Sequence, residues 1–79
     1  MKEKIRKFLQ ETLLRNGDTA GFGDDDSLVK SQRLDSLDLM DLLLFIEEHY
    51  DIPTHKLGED MTVLDSLNLT VEYVKRNSN

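Results

Sequence analysis

The sequence contains no cysteine. This absence excludes a disulfide, a thiolate zinc site and a cysteine nucleophile, so stability has to come from apolar packing. The 79 residues are enough for one domain, residues 1–79, and leave little room for a deep enzyme cleft. We therefore expect a small domain that is not an enzyme.

Long apolar runs are also missing. The longest, Leu42 to Ile46, has five residues and is far too short to span a bilayer. The first ten residues, MKEKIRKFLQ, lack the continuous apolar region of a signal peptide. We expect a soluble, monomeric, cytoplasmic protein with no membrane insertion.

Basic residues are absent between Leu34 and His55. The six acids of this segment equal the whole net charge of −6, because the other ten acids are matched by ten basic residues. The negative electrostatic field of this acidic segment repels nucleic acid and anionic membranes and favours a basic protein partner. The first helix is locally basic, and its cations are interpreted as a solvated face: Lys2, Lys4, Arg6 and Lys7.

The spacing of apolar residues predicts helices and no strands. A first helix is expected from about residue 2 to 15, ended by Asn16-Gly17, and a second over 36–50, stopped by Pro53. One short helical turn is expected near residues 57–61. A last helix of roughly twelve residues is expected to begin near Thr62 or Val63, followed by a frayed tail. The predicted fold is a small all-α four-helix bundle, with three main helices and one short one.

A long loop is expected between the first two helices. It holds three of the four glycines and lacks a periodic apolar pattern. Within it, Asp24 to Ser27 offer helix-capping side chains, and Leu28-Val29 can anchor the loop onto the core. A calcium loop is disfavoured because a glycine at the sixth position and a glutamate at the twelfth are both missing.

The second helix has two apolar faces. One is interpreted as core and consists of Leu39, Leu42, Leu43, Ile46 and Tyr50. The opposite face mixes three apolar residues with three acids: Leu37, Met40, Asp41, Leu44, Glu47 and Glu48. A neighbouring element could bury this second face, but unpaired carboxylates are costly to desolvate, so a partner-binding surface fits better.

The tripeptide Asp-Ser-Leu occurs twice, with its serine at Ser36 and at Ser66. Ser36 begins the second helix, where it is either the N-cap or an approachable serine that another enzyme modifies. Ser66 is expected in the first turns of the last helix, where Thr62 competes as the cap. We interpret the repeat as coincidence.

Neither serine has a base that sequence places within reach. His49 lies on the same predicted helix as Ser36, almost four turns away, and His55 lies in a connector. A hydrolase is therefore disfavoured, and the two histidines also do not fit the ligand spacing of a metal site.

The stretch DSLDLMDLLLFIEEHYDIP, in an acidic chain of this size, resembles the acyl carrier proteins. The similarity extends from IRKFLQETL near the start to MTVLDSL and VEYV near the end. It implies that Ser36 carries 4′-phosphopantetheine, transferred from coenzyme A by a phosphopantetheinyl transferase, and that the arm's thiol bears an acyl, aminoacyl or polyketide unit. The chain would thereby perform thioester chemistry without a cysteine of its own.

The resemblance also assigns a partner surface. It implies that the second helix contacts basic patches on acyl-activating and acyl-transferring enzymes through Asp35, Leu37, Asp38, Met40, Asp41, Leu44, Glu47 and Glu48. Many members of that family have a glycine two or three places before the Asp-Ser pair, where this chain has Gln32 and Arg33. We therefore expect a different turn there and a specialised carrier. The alternative is a small acidic helical interaction domain that is never modified.

Overall fold

The computed structural model describes residues 1–53 and 60–78. These residues form a small helical bundle of α1 (Lys2–Arg15), α2 (Ser36–Tyr50), a 3₁₀ helix (Met61–Leu64) and α3 (Leu67–Asn77), and they contain no strand. The predicted bounds of α1 and α2 are confirmed. The short turn predicted at 57–61 falls mostly outside the described residues, as does His55.

Helix α1 ends where the sequence indicated. Gly17 has a φ of 85°, in the left-handed region that glycine adopts without strain. The amide of Gly17 donates to the Leu14 carbonyl, and the amide of Asp18 donates to the Leu13 carbonyl at 2.8 Å. This pair of bonds is the Schellman arrangement, which satisfies the last carbonyls and turns the chain into the long loop.

The core lies between the helices and includes part of the long loop. The predicted core face of α2 is buried at Leu39, Leu42, Leu43 and Ile46, whereas Tyr50 at its end is half-buried. Leu28 is fully buried, which confirms that the loop is anchored onto the core.

The loop is also held by charge. No α-helix begins within residues 16–35, so the prediction that Asp24 to Ser27 cap a helix is wrong. Instead, Asp24 pairs with Lys2 at 2.8 Å and with Arg6 at 2.6 Å. The two cations lower the pKa of the Asp24 carboxyl, the Lys2 contact having the larger effect. Part of the basic face of α1 therefore binds the loop and is not merely solvated.

The last helix begins later than predicted. Residues 61–64 form the 3₁₀ helix, and α3 starts only at Leu67 and continues through Asn77, so most of the predicted frayed tail is helical. The Asp60 carboxylate caps the 3₁₀ helix by accepting from the amide and hydroxyl of Thr62. Thr62 therefore does not cap α3.

Candidate functional site

Ser36 is the first residue of α2 and is exposed. Of the two interpretations offered for Ser36, the N-cap is wrong, because Asp35 has that position, with extended backbone at φ −92° and ψ −177°. The Asp35 carboxylate accepts from the Asp38 amide at 2.8 Å, and the Asp38 carboxylate accepts from the Asp35 amide at 3.1 Å. This reciprocal capping box satisfies the start of α2 without the Ser36 side chain.

The Ser36 hydroxyl has no hydrogen-bond partner within residues 1–53 and 60–78. It lies beside the first-turn amides of α2, where the helix dipole favours negative charge. An added phosphate group would therefore meet solvent on one side and a positive helix end on the other.

Ser66 has the structural task that Ser36 lacks. It is 4% exposed, and its hydroxyl oxygen accepts from the Leu69 amide at 3.1 Å as the N-cap of α3. The carbonyl of Ser66 accepts from both the amide and the hydroxyl of Thr70 at 2.9 Å. A buried hydroxyl committed to a cap is not accessible to a modifying enzyme.

The residue before Ser66 is buried as well. One carboxylate oxygen of Asp65 accepts hydrogen bonds from the Ser27 hydroxyl and from the amides of Val29 and Lys30, each at 2.9 Å. Burial opposes ionisation of Asp65, but the donors of Lys30, Ser27 and Val29 outweigh it, so the pKa of this carboxyl is lowered. Asp65 thus fastens the long loop to the start of α3.

The partner-binding face predicted from the second helix is exposed. We call it the α2 face and define it as Leu37, Met40, Asp41, Leu44, Glu47 and Glu48. Leu37 is 74% exposed, Met40 46% and Leu44 51%, so none of the described elements buries these three apolar residues. All three acids of the face are exposed too.

Asp38 does not belong to this face. It is buried, and its carboxylate accepts from the Asn16 side chain at 2.7 Å in addition to its bond in the capping box. Asp38 was predicted to be a partner contact, but its carboxylate binds Asn16, the C-cap of α1, and the Asp35 amide, which argues against direct contact with a partner. Asp35 is exposed although its carboxylate caps α2.

One basic side chain is held immediately before the site. Arg33 donates through Nε to Asp18 at 2.7 Å, through Nη2 to the other Asp18 oxygen at 3.0 Å, and through Nη2 to the Gly21 carbonyl at 2.7 Å. The Arg33 contact, followed by the Ala20 amide, lowers the pKa of the Asp18 carboxyl. Gln32 has a φ of 66°, a conformation that favours glycine. We refer to the three bonds of Arg33 as the Arg33 clasp.

The structure brings no histidine to Ser36 among the described residues. His49 is exposed and stacks on Phe45, with ring centroids 4.3 Å apart. It lies thirteen residues along the same helix from Ser36, about 20 Å away at about 1.5 Å per residue. Within residues 1–53 and 60–78, no group of three or more histidines and carboxylates is placed to hold a metal ion.

The helices of the described part of the chain are each too short or too polar to cross a membrane. No family model matches the chain, and no solved structure matches it. The residues and geometry around Ser36 are therefore what indicates a function.

Sequence reasoning missed the Arg33 clasp and the three hydrogen bonds of Asp65, since both join residues that are far apart in the chain. It also missed the capping box, for which a signal was present: an acid at Asp35 followed three residues later by another at Asp38.

Proposed function

We propose that the protein is an acyl carrier protein, in which Ser36 bears a 4′-phosphopantetheine arm. The observation that supports this most is the position of the Ser36 hydroxyl, which is exposed at the first residue of α2 and has no hydrogen-bond partner among the described residues, next to the exposed apolar and acidic α2 face. The resemblance of DSLDLMDLLLFIEEHYDIP to the family supplies the chemistry of the arm.

The attachment is a group transfer in which coenzyme A is the donor. The Ser36 oxygen forms a bond to the phosphorus that carries pantetheine, the pyrophosphate bond of coenzyme A breaks, and adenosine bisphosphate leaves. The serine proton passes to a base of the phosphopantetheinyl transferase, because the described part of this chain places no histidine near the hydroxyl. The product is a phosphodiester whose negative charge lies at the positive end of α2.

The α2 face is the proposed docking surface for the transferase and for acyl-activating and acyl-transferring enzymes. Exposed Leu37, Met40 and Leu44 provide apolar anchors, and the neighbouring acids attract basic patches and set the orientation of the partner. Because Ser36 begins the same helix, a protein docked on this face has the arm's attachment point at its edge.

The proposal implies further properties of the chain. It implies a four-helix bundle with a short helix between α2 and α3, a monomer, and a role in the cytoplasm. The cargo would be an acyl, aminoacyl or polyketide unit of a specialised pathway, and the chain itself would not be an enzyme.

Intact-mass spectrometry tests the proposal after incubation with coenzyme A, magnesium and a broadly specific phosphopantetheinyl transferase. We expect the mass to rise by one phosphopantetheine group. The gain should vanish in Ser36→Ala and persist in Ser66→Ala, the matched control from the second tripeptide. A wild-type chain that gains no mass, or a gain that survives Ser36→Ala, would contradict the carrier function and leave the unmodified acidic interaction domain as the alternative.

A further inference from the structure

A cleft of about 320 Å³ lies between the second half of α1 and residues 18–22 of the long loop. Its apolar lining consists of Leu13, Leu14 and Phe22, and its polar groups come from Gln10, Asp18 and Thr19. Leu14 is 58% exposed, and half-buried Phe22 packs against the core. Mostly apolar lining with a few polar groups, in a volume of 300 to 1,000 Å³, is typical of small-ligand sites. We call it the α1 cleft.

The α1 cleft adjoins the attachment site. A second, more open and polar cleft of about 560 Å³ is lined by Asp35 and Asp38 of the α2 capping box, and Asp18 lines both clefts. Asp35 is the residue directly before Ser36. The two clefts therefore share Asp18 in their walls, and the polar one reaches Asp35, the neighbour of Ser36 in the chain.

The wall between the two clefts is already ordered. The Arg33 clasp bonds to Asp18 and to the Gly21 carbonyl, and both residues line the α1 cleft. Gly21 has a φ of 75°, which permits the turn that brings its carbonyl to Arg33. A preformed wall lowers the ordering cost of binding a ligand.

The interior of the bundle is closely packed at the described residues of α2. Leu42 and Ile46 of α2 are almost completely buried, so a chain entering there would have to separate packed helices and expose apolar surface. The α1 cleft can accept an apolar group without this cost.

We propose that the α1 cleft binds the apolar end of a short acyl chain carried by the arm on Ser36. The inference rests on the proposed carrier function and adds a cargo site and a length limit to it. A volume of 320 Å³ corresponds to about ten water molecules at about 30 Å³ each, which suits a short acyl chain. The Gln10 and Thr19 side chains at the cleft can donate to a thioester or amide carbonyl of the arm.

Amide NMR spectra of the ¹⁵N-labelled chain test the site in two ways. In the first, the holo form is compared with the form loaded with a hexanoyl group. In the second, free hexanoyl-pantetheine is titrated into the unmodified chain. In both, we expect the largest shifts at Leu14, Thr19, Gly21 and Phe22.

Leu14→Asp should weaken binding of the free probe by at least about tenfold, because it places a charge beside the apolar chain. The matched control is Leu69→Asp, which changes a residue of similar exposure, 41%, on α3 and away from the cleft. Both leucines are exposed on the surface of their helices, and thermal unfolding checks that both variants fold. Equal probe affinity in the two variants would overturn the proposal.

The location of the shifts also decides between sites. Shifts confined to Leu42, Ile46 and Val71 would overturn the proposal in favour of the bundle interior. The absence of shifts in the loaded form would also overturn it, because the acyl chain would then stay in solvent. If the chain takes up no phosphopantetheine, the carrier function fails, and the free-probe titration still tests the cleft by itself.

Discussion

The tripeptide Asp-Ser-Leu lies at the start of both α2 and α3, but a different residue of it caps each helix. At α2, Asp35 is the N-cap and Ser36 is the first helical residue, whereas at α3 Ser66 is the N-cap and Asp65 lies outside the helix. The shift of one position turns the side chains to different surroundings, since each helical residue is rotated by about 100° from the last. Leu37 is 74% exposed, but Leu67 is fully buried.

The difference shows that these residue types do not define a site by themselves. Where aspartate caps the helix, the serine hydroxyl is exposed and has no hydrogen-bond partner in the part of the chain that the structure describes. Where serine caps the helix, its hydroxyl is buried and bonded to the Leu69 amide, and Asp65 is available to hold the loop. Position relative to the helix start separates a modifiable serine from a structural one.

The largest contrast is expected between the two aspartates. Asp65→Ala removes the carboxylate oxygen that accepts from the Ser27 hydroxyl and from the Val29 and Lys30 amides, and we expect the free energy of unfolding to fall by about 3 kcal/mol. Asp35→Ala removes a helix cap and should cost about 1 kcal/mol. Urea unfolding of both variants measures the difference. Equal losses would mean that Asp65 does not fasten the loop.

The lowered pKa of Asp65 predicts that the free energy of unfolding depends on pH, by an amount smaller than the loss in Asp65→Ala. Because this pKa is below the ordinary value of about 3.9, the unfolded chain binds more protons in acid, and stability falls as the pH falls below about 4. Protonation costs less than the alanine change because the neutral carboxyl still accepts hydrogen bonds. Because the side chain of Asp65→Asn is neutral at every pH, the free energy of unfolding of this variant should depend less on pH.

Urea unfolding of the wild type and of Asp65→Asn at pH 7 and pH 3 gives the slope of the free energy of unfolding against pH for each. Some acid sensitivity should remain in the variant because the pKa of Asp18 is also lowered, chiefly by Arg33. An unchanged slope in Asp65→Asn would show that Asp65 does not contribute to acid sensitivity.

The two serines should give the smallest contrast. Ser66→Ala removes the cap of α3 and should lower the free energy of unfolding by about 1 kcal/mol. Ser36→Ala removes an exposed hydroxyl and should change it by less than about 0.5 kcal/mol. Thermal and urea unfolding of Ser66→Ala and Ser36→Ala measure the two losses. A loss at Ser36 as large as at Ser66 would mean that its hydroxyl has a structural role.

Local patterns in the sequence were sufficient for α1, α2 and the exposure of the α2 face. They failed at α3 because the apolar spacing of Val63 and Leu67 continues across the 3₁₀ helix, while the extended backbone of Ser66 interrupts the helix without interrupting the spacing. At the site, Asp35 and Ser36 are both good capping residues, so composition alone could not decide which one caps.

Contacts between distant residues were not predictable from these patterns. The Arg33 clasp requires Asp18 and Gly21 to fold back against the residues before Ser36, and nothing in the spacing of the loop indicates this. Nor does it indicate the ion pairs of Asp24 with α1. The α1 cleft depends on that folded loop, so it too appears only in three dimensions.

The hydrogen bonds of Asp65 have a consequence for the order of folding. Their donors lie 35 to 38 positions earlier in the chain, so they form only after a long segment has closed, with the entropy loss that closure requires. The helices need only local contacts and can form first. Asp65 should therefore act mainly on the unfolding rate, as a late contact that slows escape from the native state.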